Sequence, residues 1–227
     1  MIKAIVFDLD DTLYEEMQFV KGGFKAVSLE ISEKYKINSK LVEDILLYML
    51  NKHGRGNTFD YALLELGIHD KEIIPNLVEI YRNHTPQLFP YSDTIQLLTH
   101  LKKYQYKLGI ITDGNVKVQK RKVKSLNIEH FFDHILYSDE YGSDKQKPDP
   151  FPYLKIMEFL KVHPTEMIYI GDNPNKDFIT AKKLGCCTMR IMKGAYREIQ
   201  FDEKYEADYI ISQLEECIEF LPKTTCL

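Results

Sequence analysis

Two aspartates lie two positions apart at the end of an apolar strand. The residues Ile2–Phe7 are mostly apolar and β-branched, and Asp8-Leu9-Asp10-Asp11-Thr12 follows them directly. In an open α/β sheet, ligands bind at the carboxyl ends of the strands. Carboxylates crowded at one strand end repel one another unless a cation or a proton shares the site. The pattern therefore indicates a cation-binding or acid–base site, and a polar loop that caps the next helix is the alternative.

Other chemical groups follow later apolar runs. Thr112-Asp113-Gly114-Asn115 precedes a helical pattern, so its hydroxyl and backbone N–H groups could seat a phosphate. Lys147 lies in a proline-rich loop, where a lysine side chain is ordinarily exposed. Asp172 and Asp177 follow another apolar run and can flank a cation. Such hard oxygen ligands suit Mg²⁺, which prefers a few carboxylates together with water and substrate phosphate.

Strand and helix patterns alternate along most of the chain. Strand patterns occur at Ile2–Phe7, Lys107–Thr112, Ile135–Tyr137, Met167–Ile170, Cys187–Ile191 and Tyr209–Ile211. Helical patterns lie between most of them, at Ser92–Tyr104, Val116–Leu126, Pro152–Leu160 and Asn175–Leu184. This alternation is typical of right-handed crossovers between parallel strands. We therefore predict an α/β fold with a Rossmann-like parallel sheet and helices on both faces.

Residues 15–86 interrupt this alternation. They contain only amphipathic helical patterns, at Phe19–Tyr35, Ser39–Leu50, Phe59–Leu66 and Ile73–His84. We predict that 15–86 form an all-helical cap domain, inserted into a catalytic core domain of 1–14 and 87–227. The glycine-rich loop at 53–58 could present His53 and Arg55 to an anionic substrate. A plain connector between two helices is the alternative for that loop.

The order of these motifs resembles the phosphatase branch of the haloacid dehalogenase superfamily. The four motifs that carry the resemblance are Asp8-Leu9-Asp10-Asp11-Thr12, then Thr112, then Lys147, then Gly171-Asp172 with Asp177. The resemblance spans the whole sheet domain, and a helical cap after the first strand also matches the family. It implies a magnesium-dependent enzyme with a Rossmann-like core.

The same resemblance assigns roles to individual residues. It implies that Mg²⁺ is held by the Asp8 carboxylate, the Asp10 carbonyl and Asp172, with Asp177 as an outer or alternate ligand. It also implies that Thr112 and the neighbouring backbone at Asp113 and Gly114 hold the phosphoryl oxygens. Lys147 would then compensate the clustered negative charge.

A phosphoryl-transfer mechanism can be built on the first motif. Asp8, kept ionised by a cation, can attack phosphorus and form an aspartyl-phosphate. Asp10 can protonate the leaving oxygen and then accept a proton from the attacking water. Family members that cleave carbon–halogen bonds lack a carboxylate at the place of Asp10, because a halide leaves without a proton. Phosphate esters or anhydrides are therefore the favoured substrates.

The composition and charge of the chain limit its expected binding partners and its expected cellular location. The net charge of -4 over 227 residues provides no general attraction to nucleic acid or to anionic membranes. No run approaches the roughly 18 apolar residues of a membrane span. Four irregularly spaced cysteines do not suggest a disulfide framework. With Lys3 and Asp8 in the first ten residues, an export signal is not expected. We expect a cytoplasmic monomer or weak homodimer whose partner is a small phosphorylated substrate.

The sequence thus predicts a magnesium-dependent phosphatase acting on a small phosphate monoester, such as a sugar phosphate, a nucleotide or a small phospho-acid. A sugar phosphomutase on the same scaffold is one alternative. A non-catalytic binding protein that docks through the basic residues at 117–124 is another.

Overall fold

The computed structural model describes residues 1–221 and divides into two compact units. One unit is Met17–Gln87, and the other consists of Met1–Glu16 with the chain from Leu88 onward. Each unit has its own helices and its own buried core. No helix among the described residues is long and apolar enough to cross a membrane.

The larger unit is built on a six-stranded, fully parallel sheet in the order β3-β2-β1-β4-β5-β6. The strands are β1 (Ala4–Phe7), β2 (Lys107–Thr112), β3 (His134–Tyr137), β4 (Met167–Gly171), β5 (Cys187–Ile191) and β6 (Tyr209–Ile211). Parallel pairing places the carboxyl ends of all six strands along one edge. Because β1 lies between β2 and β4, the residues that follow these three strands converge at that edge.

Both faces of β1 are buried, which explains its nearly continuous apolar sequence. Ala4 and Val6 pack with Tyr153 and Ile156 in one core cluster. Strand alternation directs Ile5 and Phe7 to the opposite face, where both are also fully buried. The predicted α/β fold with helices around a parallel sheet is therefore confirmed.

Within residues 1–221, four α-helices accompany this sheet. They are named by their place in the whole chain: α5 (Thr94–Lys103), α6 (Val116–Leu126), α7 (Pro150–Leu160) and α8 (Ile179–Leu184). The last of them is shorter than the predicted Asn175–Leu184. The Asp177 N–H donates to the Asn173 carbonyl, and the Asn173 N–H donates back to the Asp177 carboxylate. This turn occupies the residues that would form the first turns of a longer helix.

The smaller unit is entirely helical. Its helices are α1 (Met17–Tyr35), α2 (Ser39–His53), α3 (Thr58–Glu65) and α4 (Ile74–Asn83). On α1, the buried residues Val20, Phe24, Val27 and Ile31 recur at the spacing of one helical face. A Cβ atom at Gly23 would lie 2.4 Å from the Tyr81 ring, so glycine allows α1 and α4 to approach closely.

Candidate active site

Three strand ends deliver the central residues of the candidate site. Asp8 follows β1, Thr112 ends β2, and Asp172 follows β4. The Asp8 N–H donates to the Ile170 carbonyl at 2.8 Å, which extends the β1–β4 ladder into the site. The fold thus places side chains that are far apart in sequence at one edge of the sheet.

The most strongly charged feature of this edge is a cluster of three buried carboxylates. One oxygen from each of Asp8, Asp172 and Asp177 lies within 4.8 Å of the other two. Only 2% of Asp8, 5% of Asp172 and 0% of Asp177 is exposed. Carboxylates this close and this dry need a cation or bound protons. Their oxygen donor set fits a hard divalent cation.

Asp172 is the member of the cluster that most requires such a cation. Among the described residues, no hydrogen bond or ion pair reaches its carboxylate. Burial raises its pKa to about 9, and the charges of Asp8, Asp177 and Asp11 act in the same direction. A buried carboxylate without hydrogen-bond partners is costly, and a metal ion would supply the missing interaction.

Lys147 provides positive charge to the other two carboxylates. Its Nζ lies 2.5 Å from Asp8 Oδ1 and 2.9 Å from Asp177 Oδ1, and it donates to the Tyr169 hydroxyl at 2.9 Å. Burial alone would lower the Lys147 pKa, but the charges of Asp177 and Asp8 raise it well above 10.5. Burial raises the pKa of Asp8 to about 6, and the charges of Lys147 and Lys176 oppose that rise. The lysine therefore stays charged and partly balances the cluster.

Gly171 makes room for Asp177. A Cβ atom at Gly171 would lie 2.5 Å from Asp177 Oδ2. That same oxygen accepts a hydrogen bond from the Asn173 N–H at 3.0 Å. A glycine at this position therefore lets a buried carboxylate approach the end of β4.

The segment at 112–114 is held by Gln119 of α6 and by groups within residues 138–147. Thr112 is buried, and its Oγ1 accepts a hydrogen bond from Gln119 at 2.5 Å. Asp113 Oδ1 accepts from the Ser138 hydroxyl at 2.7 Å and from the Lys147 N–H at 3.2 Å. The Gly114 N–H donates to Asp139 at 3.0 Å. Asp113 and Gly114 thus organise the loops around Thr112 and Lys147, and their contact with substrate stays a prediction.

The Asp10 carboxylate lies outside the three-carboxylate cluster. It accepts hydrogen bonds from Tyr14, Gln119 and Lys122, with Lys122 Nζ at 2.8 and 2.9 Å from its two oxygens. Burial would raise the Asp10 pKa, but Lys122, Tyr14 and Gln119 lower it to about 2. Asp10 is therefore an ionised hydrogen-bond acceptor in this arrangement. Its side chain contacts α6, and the metal role of its backbone carbonyl stays a prediction.

The sequence reasoning missed Gln119 and Lys122. A helix with this many basic residues is typical of a solvated face, and Lys117, Lys120 and Lys124 are exposed, whereas Lys122 is buried. The available signal was periodicity, because Lys122 falls on the same helical face as the buried Val118 and Leu126.

The two predicted residues of the insert lie near the end of α2. His53 is exposed and stacks on Tyr61, with ring centroids 4.1 Å apart. Arg55 lines a cavity of about 260 Å³ inside the helical unit, together with Phe24, Tyr81 and Arg82. The lining is mainly apolar, with three aromatic rings and two arginines, a composition suited to an anionic group on an apolar support.

Comparison with known proteins identifies the class. Residues 5–191 match the family described as "Haloacid dehalogenase-like hydrolase". The glyceraldehyde 3-phosphate phosphatase of Methanocaldococcus jannaschii is 38% identical over 227 residues, covering 97% of each chain. The protein of the same name from Pyrococcus furiosus is 31% identical and covers 98% of this chain and 94% of its own. A crystal structure of a haloacid dehalogenase-type phosphatase from Thermococcus onnurineus superposes with a TM-score of 0.65 at 27% identity, covering 96% of this chain and 97% of its own.

The chain therefore belongs to the haloacid dehalogenase-like hydrolases. The predicted family and the predicted enzyme class are both confirmed by these matches.

Proposed function

We propose that this protein is a magnesium-dependent phosphatase of small phosphorylated metabolites, with glyceraldehyde 3-phosphate as the first substrate to test. The observation that carries the proposal is the cluster of Asp8, Asp172 and Asp177 against the buried Lys147. Two relatives that match almost the whole chain at 31% identity or more are named for that substrate, which supports the choice.

Mg²⁺ is the proposed cofactor. Asp8 and Asp172 would hold it directly with the Asp10 carbonyl, and Asp177 would serve as an outer or alternate ligand. Bound there, Mg²⁺ supplies positive charge that offsets the carboxylates and helps to orient the substrate phosphate. The lack of a hydrogen-bond partner for Asp172 among the described residues supports this ligand set.

The proposed reaction has two displacements at phosphorus. In the first, an Asp8 oxygen bonds to phosphorus while the bond to the leaving oxygen breaks, and Asp10 gives that oxygen a proton. In the second, water attacks the aspartyl-phosphate, Asp10 accepts a proton from the water, and phosphate leaves with Asp8 restored. Asp10 is ionised in this structure, so it takes up a proton before the first turnover, and the proton that it accepts from water serves the next one.

Positioning and charge neutralisation support both displacements. We propose that the Thr112 hydroxyl and the backbone at Asp113 and Gly114 hold phosphoryl oxygens, and that Lys147 neutralises charge at Asp8. The hydrogen bond from the Lys147 N–H to the Asp113 carboxylate supports a joint arrangement of the two loops.

We expect phosphate release from glyceraldehyde 3-phosphate with Mg²⁺ and none after the metal is removed by chelation. Without a cation, the raised pKa of Asp172 favours its protonated form, and the cluster then lacks the positive charge that Mg²⁺ would supply to the substrate phosphate. The measurement is inorganic phosphate release with Mg²⁺, with a chelator, and with the chelator followed by excess Mg²⁺. Full turnover in the chelator would contradict the proposed cofactor.

We propose that the helical insert serves as the cap and that His53 and Arg55 select the substrate. A guanidinium contact made in both the ground state and the transition state affects binding and not the chemical step. The position of Arg55 at the wall of a mainly apolar cavity supports such a contact.

Arg55→Ala is expected to raise KM for the natural substrate and leave kcat nearly unchanged. A charge-assisted hydrogen bond contributes about 1.5–3 kcal/mol, so kcat/KM should fall about 10- to 100-fold. A small chromogenic ester such as p-nitrophenyl phosphate should be hydrolysed as before. Lys52→Ala is a matched control, because it removes an exposed positive charge close by on α2. Equal slowing of both substrates would place Arg55 in the catalytic machinery instead.

The proposed setting is the cytoplasm, with the protein as a monomer or weak homodimer and without nucleic-acid or membrane partners. Cys186, Cys187 and Cys217 carry free thiols, the state expected in a reducing compartment. The net charge of -4 also gives no general attraction to polyanions.

A further inference from the structure

The hydrogen bonds around Asp10 fill its capacity as an acceptor. Oδ1 accepts from the Tyr14 hydroxyl at 2.5 Å and from Lys122 Nζ at 2.8 Å. Oδ2 accepts from Lys122 Nζ at 2.9 Å and from Gln119 Nε2 at 2.9 Å. An ionised carboxylate has about four lone-pair sites. A substrate or water oxygen that approaches Asp10 must therefore replace one of these donors.

Lys122 differs from the other two donors, Tyr14 and Gln119, because it reaches both oxygens. If a reacting oxygen replaces Tyr14 at Oδ1 or Gln119 at Oδ2, Lys122 still contacts the opposite oxygen. The orientation of the carboxylate is then preserved during the exchange. Tyr14 and Gln119 each touch one oxygen only, so neither can do this alone.

The burial of Lys122 is explained by this contact. Its side chain is 5% exposed, whereas the side chain of Lys120 on the same helix is 55% exposed. An ammonium group is costly to bury unless it is paired and hydrogen-bonded. Lys122 has Asp10 at 2.8 Å and Glu16 at 3.8 Å. The lysine at this position of α6 is therefore buried as the ion-pair partner of the Asp10 carboxylate.

Gln119 connects Asp10 to the predicted phosphoryl-binding residue. Its Nε2 donates to both Asp10 Oδ2 and Thr112 Oγ1. The side chain of one residue on α6 therefore spans the acid–base carboxylate and the hydroxyl at the end of β2. Because Lys122 lies one turn later on α6, both contacts to Asp10 come from a single rigid element.

We propose that Lys122 is the positioning residue for Asp10, fixing the acid–base carboxylate from α6 while Gln119 aligns it with Thr112. The proposal rests on the proposed function, since it concerns the proton transfers that Asp10 makes there. Lys122 itself neither bonds to the substrate nor exchanges a proton with it. It holds the Asp10 carboxylate in one orientation while Asp10 gives a proton to the leaving oxygen and later accepts a proton from water.

The test compares two substrates that differ in their need for an acid. Glyceraldehyde 3-phosphate has a poor leaving group that requires a proton, whereas p-nitrophenyl phosphate loses a stable phenolate. Rapid-quench single turnovers with Mg²⁺ measure the rate of phosphoenzyme formation from each. In Lys122→Met, we expect this rate to fall about 100-fold with glyceraldehyde 3-phosphate, in line with a misplaced catalytic group. With p-nitrophenyl phosphate the fall should be less than about 10-fold.

Three further variants make the result specific. Lys122→Arg retains the charge and two-oxygen reach, so it should recover much of the rate with glyceraldehyde 3-phosphate. Lys120→Met, which loses a surface lysine paired with Glu140, should match the wild type. In an Asp10→Asn background, adding Lys122→Met should change little, because a residue that acts through Asp10 has nothing left to position. The Asp10→Asn, Lys122→Met pair also leaves no unpaired buried charge, so it remains informative if the single variant unfolds.

The outcomes separate this inference from the proposed function. Equal slowing of phosphoenzyme formation from both substrates, or full additivity with Asp10→Asn, would overturn the role of Lys122. No phosphoenzyme from either substrate in the wild type would instead overturn the proposed phosphatase. Thermal unfolding of each variant, with and without Mg²⁺, shows whether a lost rate reflects a lost fold.

Discussion

Asp8→Asn is expected to abolish turnover of every phosphate ester. An amide oxygen is too weak a nucleophile to form the phosphoenzyme, and loss of a covalent nucleophile costs on the order of 10⁴- to 10⁶-fold. The fold should survive, since Lys147 keeps its contact with Asp177 at 2.9 Å. The measurement is phosphate release together with mass spectrometry of the quenched protein. Turnover within tenfold of the wild type would remove Asp8 from the mechanism.

Asp10→Asn is the companion variant, because it separates the two displacements. With p-nitrophenyl phosphate, the first displacement needs little acid and should still occur. The second displacement lacks its base, so a phosphate adduct should accumulate on Asp8. A peptide map that finds the adduct elsewhere would contradict the assignment of nucleophile and base. In Asp8→Asn no adduct is expected under the same conditions.

The strand ends were predictable from sequence, and the reason is burial. Only a strand enclosed on both faces is as apolar as Ala4–Phe7 or Met167–Gly171, so the first carboxylate after each marks the edge of the sheet. Asp8 and Asp172 are those carboxylates, and the structure brings them together with Asp177. Lys147 was predictable only through the family resemblance, because nothing local distinguishes a buried lysine in a loop from an exposed one.

The surroundings of Asp10 were not predictable in this way. Asp10 and Lys122 are 112 positions apart in sequence. Their contact depends on how α6 is rotated against the sheet, and sequence reveals that rotation only through the apolar face of the helix. A lysine on this face is ambiguous, since its long apolar stem often covers a core while the charge reaches water. In the structure, the Lys122 ammonium group does not reach water but forms an ion pair with the Asp10 carboxylate at 2.8 Å.

Asp8 and Asp10 illustrate how environment separates two identical side chains. Each has a buried lysine, Lys147 for Asp8 and Lys122 for Asp10. Burial and the neighbouring carboxylate Asp177 raise the pKa of Asp8 to about 6, whereas Lys122 and two hydrogen bonds lower the pKa of Asp10 to about 2. Such opposed environments are the usual basis for different roles in one site. Because Lys147 is shared between Asp8 and Asp177, it does not neutralise the whole carboxylate cluster, and a metal ion would balance the remaining negative charge.

The metal-free protein is expected to lose stability as pH rises. The folded-state pKa of Asp172 is about 9, above its ordinary value of 3.8, so the folded protein binds more protons than the unfolded chain between these values. Asp8, with a pKa of about 6, adds to the loss at the acidic end of this window. Asp10 does not contribute there, because its lowered pKa of about 2 affects proton binding only below 3.8. The loss is at most about 1.4 kcal/mol per pH unit for each such group.

Asp172→Asn is therefore expected to stabilise the metal-free protein and to remove its response to Mg²⁺. The amide is neutral at every pH, so the unfolding free energy of the variant should depend less on pH between about pH 5 and pH 8 than that of the wild type. Mg²⁺ at 100 times its dissociation constant should add about 2.7 kcal/mol to the wild type and almost nothing to the variant. Asp144→Asn is the matched control, since its side chain is 75% exposed and its loss should alter neither property. The measurement is urea unfolding at several pH values, with and without Mg²⁺. If the variant is less stable than the wild type without metal, the buried Asp172 carboxylate does not destabilise the metal-free protein. If the variant gains as much stability from Mg²⁺ as the wild type, Asp172 is not a metal ligand.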